Sequence, residues 1–225
     1  MTTTTANGAP TALGTEPLSA ALRAATRAEH EIAETRPFIV ALMRGELTTA
    51  AYADLAAQHL AIYEALEAAG PAVRALPGGA ALVIDHLERV PSIEADLAHL
   101  LGPAWRAEVR VLPATERYAA HLRAVAPASV AAFAAHAYVR YLGDLSGGQA
   151  IKAILQRSYG LPAEAVRFYT FDAVPKPKVF KDEYRALLDA LPLDDAGLAL
   201  AVTEAKLAFE FTTDLFTQLG AVHLP

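Results

Sequence analysis

Tyr138-Val139-Arg140-Tyr141-Leu142-Gly143-Asp144-Leu145-Ser146-Gly147-Gly148-Gln149 is the stretch that decides how this chain folds. It follows an apolar, alanine-rich run and leads into Ala150-Ile151-Lys152-Ala153-Ile154-Leu155, so both flanks read as helix. Three glycines in a helical pattern are costly, on the order of 1 kcal/mol each relative to alanine. A helix that keeps them needs something from them. At about 100° per residue, Gly143 and Gly147 fall on nearly the same face, one turn apart, with Arg140 and Asp144 at its edges. A strip without side chains lets a flat surface approach the backbone, and glycine also permits a kink. The spacing therefore predicts a large planar ligand against this strip, with Asp144 next to it.

The composition agrees with a helical scaffold. The 225 residues fit one domain with a substantial core. They are rich in alanine and leucine and poor in β-branched runs, as expected of a mostly helical globular protein. A formal net charge of −6 argues against nucleic-acid binding. The absence of cysteine excludes disulfides, thiolate catalysis, zinc–thiolate sites and iron–sulfur clusters. The N-terminus, Met1 to Pro10, has neither a basic start nor an apolar core and is not a secretory signal. The longest apolar stretch, about Ala124 to Val139, contains Pro127, Ser129 and His136 and is too short to cross a bilayer. A soluble cytoplasmic protein without a membrane anchor is expected.

Residues 1–14 are small, polar and punctuated by glycine and proline, which predicts a disordered tail before a single domain over 15–220. Thr15-Glu16-Pro17 resembles a helix start, with a hydroxyl cap and a proline in the first turn. The first helix is expected from Leu18 to Glu34. Its apolar face holds Leu18, Ala21, Leu22, Ala25, Ala28 and Ile32, with Glu29 misplaced near the edge. Opposite them Arg23, Arg27, His30 and Glu34 form one narrow stripe. Such a stripe is either a solvated face or, because a single histidine ends a row of arginines, a site for a metal whose ligand is anionic. Further helices are expected at 49–69, 81–101 (weak at Pro91), 114–125, from Pro127 into the glycine stretch, 148–159, from about Lys178 to Leu191, and 195–219. The aromatic segment Phe168 to Asp172 is expected to be an irregular connector.

Seven histidines are present, but no H-E-x-x-H occurs and none has a glutamate three residues before it. Zincin and di-iron bundle sites are thereby disfavoured. Leu145-Ser146-Gly147 lacks the G-x-S-x-G of a hydrolase elbow, and no G-K-[ST] follows the glycines as in a phosphate loop. A one-histidine site remains. Haem needs one axial imidazole, an apolar slot and cations for its propionates. His30 could supply the first, Arg23, Arg27, Lys181 and Arg185 the last, and the glycine strip the distal wall. This reading requires the first helix and the glycine helix to face each other.

The segment Ala135 to Gln149 resembles the distal-helix signature of the haem oxygenases, a long and specific motif. Leu22 to His30 resembles the family's proximal segment, and Ile62 to Glu67, Phe180 to Arg185 and Glu204 to Phe209 match their counterparts, so the resemblance runs from about Leu18 to Leu219. It implies an all-α, single-domain fold with haem b, both substrate and cofactor, between a proximal and a distal helix. His30 would ligate the iron, with Glu34 tuning its hydrogen bonding. Arg23 (often lysine in the family), Arg27, Lys181 and Arg185 would face the propionates. Tyr138 and Phe209 would contact the haem, and Gly143 and Gly147 would lie against it. Asp144, acting through an ordered water extended by Arg140 and Tyr63, would deliver the proton. The implied reaction consumes O2 and electrons from an external ferredoxin or flavin reductase. It cleaves a meso carbon, α by family default, giving biliverdin, carbon monoxide and ferrous iron. Thr212 stands where some relatives carry an amide. Two other readings share the architecture: a non-catalytic haem carrier or sensor, which would not need Asp144, and a thiaminase-like or quinone-cofactor oxidase relative. The thiaminase type relies on a cysteine that this chain lacks.

Overall fold

A computed structural model describes residues 16–225. The predicted tail and the Thr15 cap lie outside the described residues. Within them the fold is all-α, with twelve α-helices, short 3-10 turns and no strand. In chain order the helices are α1 (Leu18–Ala25), α2 (Arg27–Glu34), α3 (Pro37–Arg44), α4 (Thr49–Glu67), α5 (Gly70–Arg74) and α6 (Val90–Leu101). They continue with α7 (Trp105–Glu108), α8 (Pro113–Val125), α9 (Val130–Asp144), α10 (Gly147–Tyr159), α11 (Pro177–Asp189) and α12 (Asp195–His223). Among the described residues no helix is long and apolar enough to cross a membrane.

The core is built around α4 and α12. Helix α4 buries residues on every side, including Ala51, Ala53, Ala57, Gln58 and Ile62 beyond the stripe expected from its spacing. It packs on α6 and α8, while α12 packs on α9, α2, α3 and α8. Buried polar groups are matched where the chain needs them. Gln58 donates to Asp54 Oδ1 (2.7 Å) and the Arg110 carbonyl (2.8 Å) and accepts from Leu112 N (2.9 Å). The free amide at the start of α1 is met from another helix: Ser19 N donates to Asp189 Oδ1 of α11 at 2.7 Å.

Three expectations are corrected. The predicted first helix bends at Thr26, whose hydroxyl donates to the Leu22 carbonyl at 2.7 Å, the back-bond that commonly bends helices. Its inner face runs through Leu22, Thr26 and Ala33, while Ile32 is 47% exposed. Glu29, misplaced in the sequence pattern, sits on that side because Lys206 of α12 reaches it at 3.2 Å. The predicted helix 81–101 begins only at Val90, since Pro91 has no N–H to donate and belongs in a first turn. The final helix continues to His223.

The glycine stretch kinks as expected. Helix α9 ends at Asp144, Leu145-Ser146 forms a turn, and α10 restarts at Gly147. The 167–169 segment is a 3-10 turn, not a strand.

Candidate functional site

Helix α2 and the kinked pair α9–α10 do face each other. One cavity of about 380 Å³ is lined by His30 and Glu34 on one side and by Arg140, Gly143, Asp144, Gly147 and Gly148 on the other. Phe209, Thr212 and Phe216 of α12 and Ile39 and Met43 of α3 close it. A wider, more polar cavity of about 910 Å³ shares His30, Glu34 and Phe209 with it and opens past Arg23, Arg27, Tyr138 and Arg185. The inner cavity is apolar and the outer one basic.

His30 marks the junction of the two. Its ring stands edge-on to Phe209, with centroids 5.3 Å apart, which limits its rotation. Glu34 Oε2 lies 3.4 Å from His30 Nδ1, so Nε2 is the nitrogen left to face the cavity. At the mouth Arg27 pairs with Glu31 at 3.1 Å and Arg185 with Asp182 at 2.7 Å, whereas Arg23 has no ion pair among the described residues. Burial raises the Tyr138 phenol, and the charges of Arg185 and Arg23, which line the same cavity, act to lower it. Lys181 lines neither cavity. Its ammonium donates to Ser146 Oγ at 2.8 Å, which ties α11 to the turn between α9 and α10.

The glycines separate into two kinds. A Cβ built on Gly143 or Gly147 meets nothing within 4 Å, so no neighbouring protein atom requires glycine there. A Cβ on Gly148 would come 2.8 Å from Tyr169 Cδ1, so that glycine serves internal packing. Gly143 and Gly147 thus leave open a flat space that side chains would intrude upon, and this space fits a planar ring.

Asp144 is buried at the edge of the strip. Tyr63, behind it and outside the cavity lining, donates its hydroxyl to Asp144 Oδ2. Burial raises the Asp144 carboxyl, against the opposing pull of the Arg140 charge and the Tyr63 hydrogen bond. Arg140 lies buried with its guanidinium 5.5 Å from the Tyr63 ring centroid, and its Nε has no partner among the described residues. A buried donor without an acceptor on the cavity wall is a place for a bound oxygen atom or water. His59, which sequence reasoning did not select, also lines the cavity with an unpartnered buried Nδ1. Burial pushes its imidazole well below the usual histidine range, so it is neutral. Nothing in its spacing distinguished it from a core position of α4. Nor did the spacing distinguish Ile39 and Met43 of α3, or Tyr169, from ordinary core positions.

These features define an all-helical protein with an apolar slot open to a planar ligand, lined by the imidazoles of His30 and His59, with a basic mouth and a buried acid. Comparison with known proteins gives the same class. The family model described as Heme oxygenase matches residues 16–218. "Heme oxygenase 1" of Gallus gallus is 37% identical over 205 residues, 90% of this chain and 69% of the relative. "Heme oxygenase 1" of Synechocystis is 33% identical over 202 residues, covering 90% and 84%. The crystal structure of the Synechocystis heme oxygenase-1 in complex with heme superimposes with a TM-score of 0.87 at 32% identity, covering 92% of this chain and 94% of that one. The heme oxygenase of Leptospira interrogans gives 0.86 at 30% identity, covering 90% and 100%. The chain belongs to the haem oxygenase family, the oxidoreductases that degrade haem to biliverdin.

Proposed function

We propose that this chain cleaves haem b at a meso carbon, the α position by family default, releasing biliverdin, carbon monoxide and ferrous iron. O2 is the oxidant, and electrons come from an external ferredoxin or flavin reductase. The observation that carries the proposal is the shared cavity, with His30 across from a glycine strip whose absent Cβ atoms leave room for a ring and with Asp144 buried at the strip's edge.

Haem itself would supply the iron that activates O2 and the ring that is opened. The protein seats the ring and manages protons. His30 Nε2 would hold the iron, and Glu34, 3.4 Å from Nδ1, would keep that imidazole electron-rich. Arg23, Arg27 and Arg185 would hold the propionates at the basic mouth, and Phe209, edge-on to His30, limits how the imidazole rotates. Gly143 and Gly147 would present backbone, rather than side chains, to the bound ring. Asp144 keeps a proton at higher pH than an exposed carboxylate because it is buried, and can pass it to the cavity through one water. Tyr63 fixes the direction of that carboxyl, and the unpartnered Arg140 Nε donates toward the same space. A haem carrier would use His30 and the basic mouth but gains nothing from a buried acid beside an open strip.

The test pairs two variants under haem titration followed by reduction in air. His30→Ala is expected to lose the Soret shift on haem addition. Asp144→Ala is expected to bind haem and to form biliverdin at less than about a hundredth of the parent rate, within the range of general acid–base contributions. Chromatography of the parent's product identifies the isomer. Undiminished turnover in the first variant or a normal biliverdin yield in the second overturns the assignment.

A further inference from the structure

Outside the haem slot, three helices bring His121 (α8), His136 (α9) and Glu204 (α12) together, with their ligand atoms all within 4.8 Å of one another. We propose that these three side chains form a second metal site, for a first-row divalent cation of the Zn²⁺ or Fe²⁺ type. Both imidazoles aim Nε2 at the same carboxylate oxygen, His121 at 2.6 Å and His136 at 3.0 Å. Two imidazoles and one carboxylate are the donor set that borderline divalent ions select. Metal–ligand bonds of about 2.0–2.2 Å place the donors of a tetrahedral site roughly 3.3–3.5 Å apart, so a small outward shift of the imidazoles opens this one.

The surroundings are those of a supported site. Tyr118 holds Nδ1 of His136 at 3.1 Å, and Phe211 stacks on Tyr118 with centroids 4.8 Å apart. A metal takes the lone pair of Nε2, which leaves the proton of each imidazole on Nδ1. On His136 that proton points at the Tyr118 oxygen, 3.1 Å away, which can accept it. His136 is fully buried, but the His121 side chain is 23% exposed and gives the ion an access route and a position for a fourth, water ligand. The three residues are 15 and 68 positions apart in the chain, which no local motif records.

Co²⁺ is the probe, because its visible d–d bands report low-symmetry nitrogen–oxygen coordination. Untagged, haem-free chain is titrated with Co²⁺, after circular dichroism has confirmed that each variant is helical. One equivalent is expected to give the bands, and Zn²⁺ to abolish them by competition. His121→Gln and Glu204→Gln are each expected to weaken Co²⁺ binding at least tenfold, and His30→Ala to leave it unchanged. Absence of bands in the parent, or bands that survive both the His121 and Glu204 substitutions, overturns the proposal. Bands lost in His30→Ala also overturn it, since they place the ion at the haem slot. His121, partly exposed, is the variant that folds most readily and decides the matter if Glu204→Gln loses structure.

Discussion

The glycines of the α9–α10 junction look equivalent in sequence and are opposite in physical role. Gly143 lies in the last turn of a helix and faces open space, so an added methyl gains helix propensity of about 1 kcal/mol without a steric clash. That methyl stands where the ring would lie. Gly148 faces the Tyr169 ring at a distance that no real Cβ tolerates. Gly143→Ala is therefore expected to leave the haem-free melting temperature unchanged or raise it by a few degrees, while weakening haem binding. Gly148→Ala is expected to lower stability by about 1–3 kcal/mol through overpacking. Thermal melts with and without haem separate the two. A Gly143→Ala chain that melts lower and binds haem as before would show that the strip serves packing.

At the scale of elements, the wall behind the slot depends on an acid that belongs to neither the proximal nor the distal helix. Asp96 of α6 is fully buried and accepts from Arg167 N at 2.8 Å and Phe168 N at 2.9 Å, which pins the 3-10 turn there. Phe168 then packs on His59 and Tyr63, with centroids 5.2 and 5.5 Å apart, and Tyr169 packs over Gly148. Asp96→Ala leaves the buried Phe168 amide and the part-buried Arg167 amide without this acceptor and is expected to cost about 3 kcal/mol. For a chain of this length that corresponds to roughly 6–12 °C in melting temperature. Biliverdin formation should slow as the support behind Tyr63 and Asp144 loosens, while the His30-dependent Soret shift persists. Melting curves and single-turnover rates check both. The sequence showed Phe168 to Asp172 only as an aromatic connector, because its partner lies about 70 residues away on another helix.

At the scale of the molecule, buried carboxyls give stability a pH dependence. Burial raises Glu67 from 4.5 to about 7, against hydrogen bonds from Arg89 N at 2.5 Å and Val90 N at 3.3 Å, and raises Asp96 from 3.8 to about 6. Each binds its proton more tightly in the folded chain than in the unfolded one. Each therefore favours folding most below its unfolded pKa, and the contribution fades as pH rises through the folded value. Stability is expected to decline between about pH 4 and 7 on account of these two groups, with the Glu67 share lost last. Glu67→Gln should flatten the upper part of that decline, read as melting temperature against pH from 4 to 8. An unchanged slope would mean that Glu67 titrates normally.

The sequence by itself determined the helical class and the family, and it marked the break in the glycine stretch and the His30 and Asp144 sides of the cavity as candidates. The family rests on the resemblance of the 135–149 motif, and the candidates rest on short-range spacing: Arg23, Arg27, His30 and Glu34 on one stripe, and Arg140, Gly143, Asp144 and Gly147 within about two turns. Tertiary packing decided what spacing cannot encode. It turned α2 toward α9 through the Thr26 bend, placed Lys181 on Ser146 rather than in the mouth, and added His59 to the lining. It also gathered His121, His136 and Glu204 from three helices. The physical reason is that a helix fixes the angular relation of residues a few positions apart, while relations across helices depend on how buried faces of α4 and α12 pack against their neighbours.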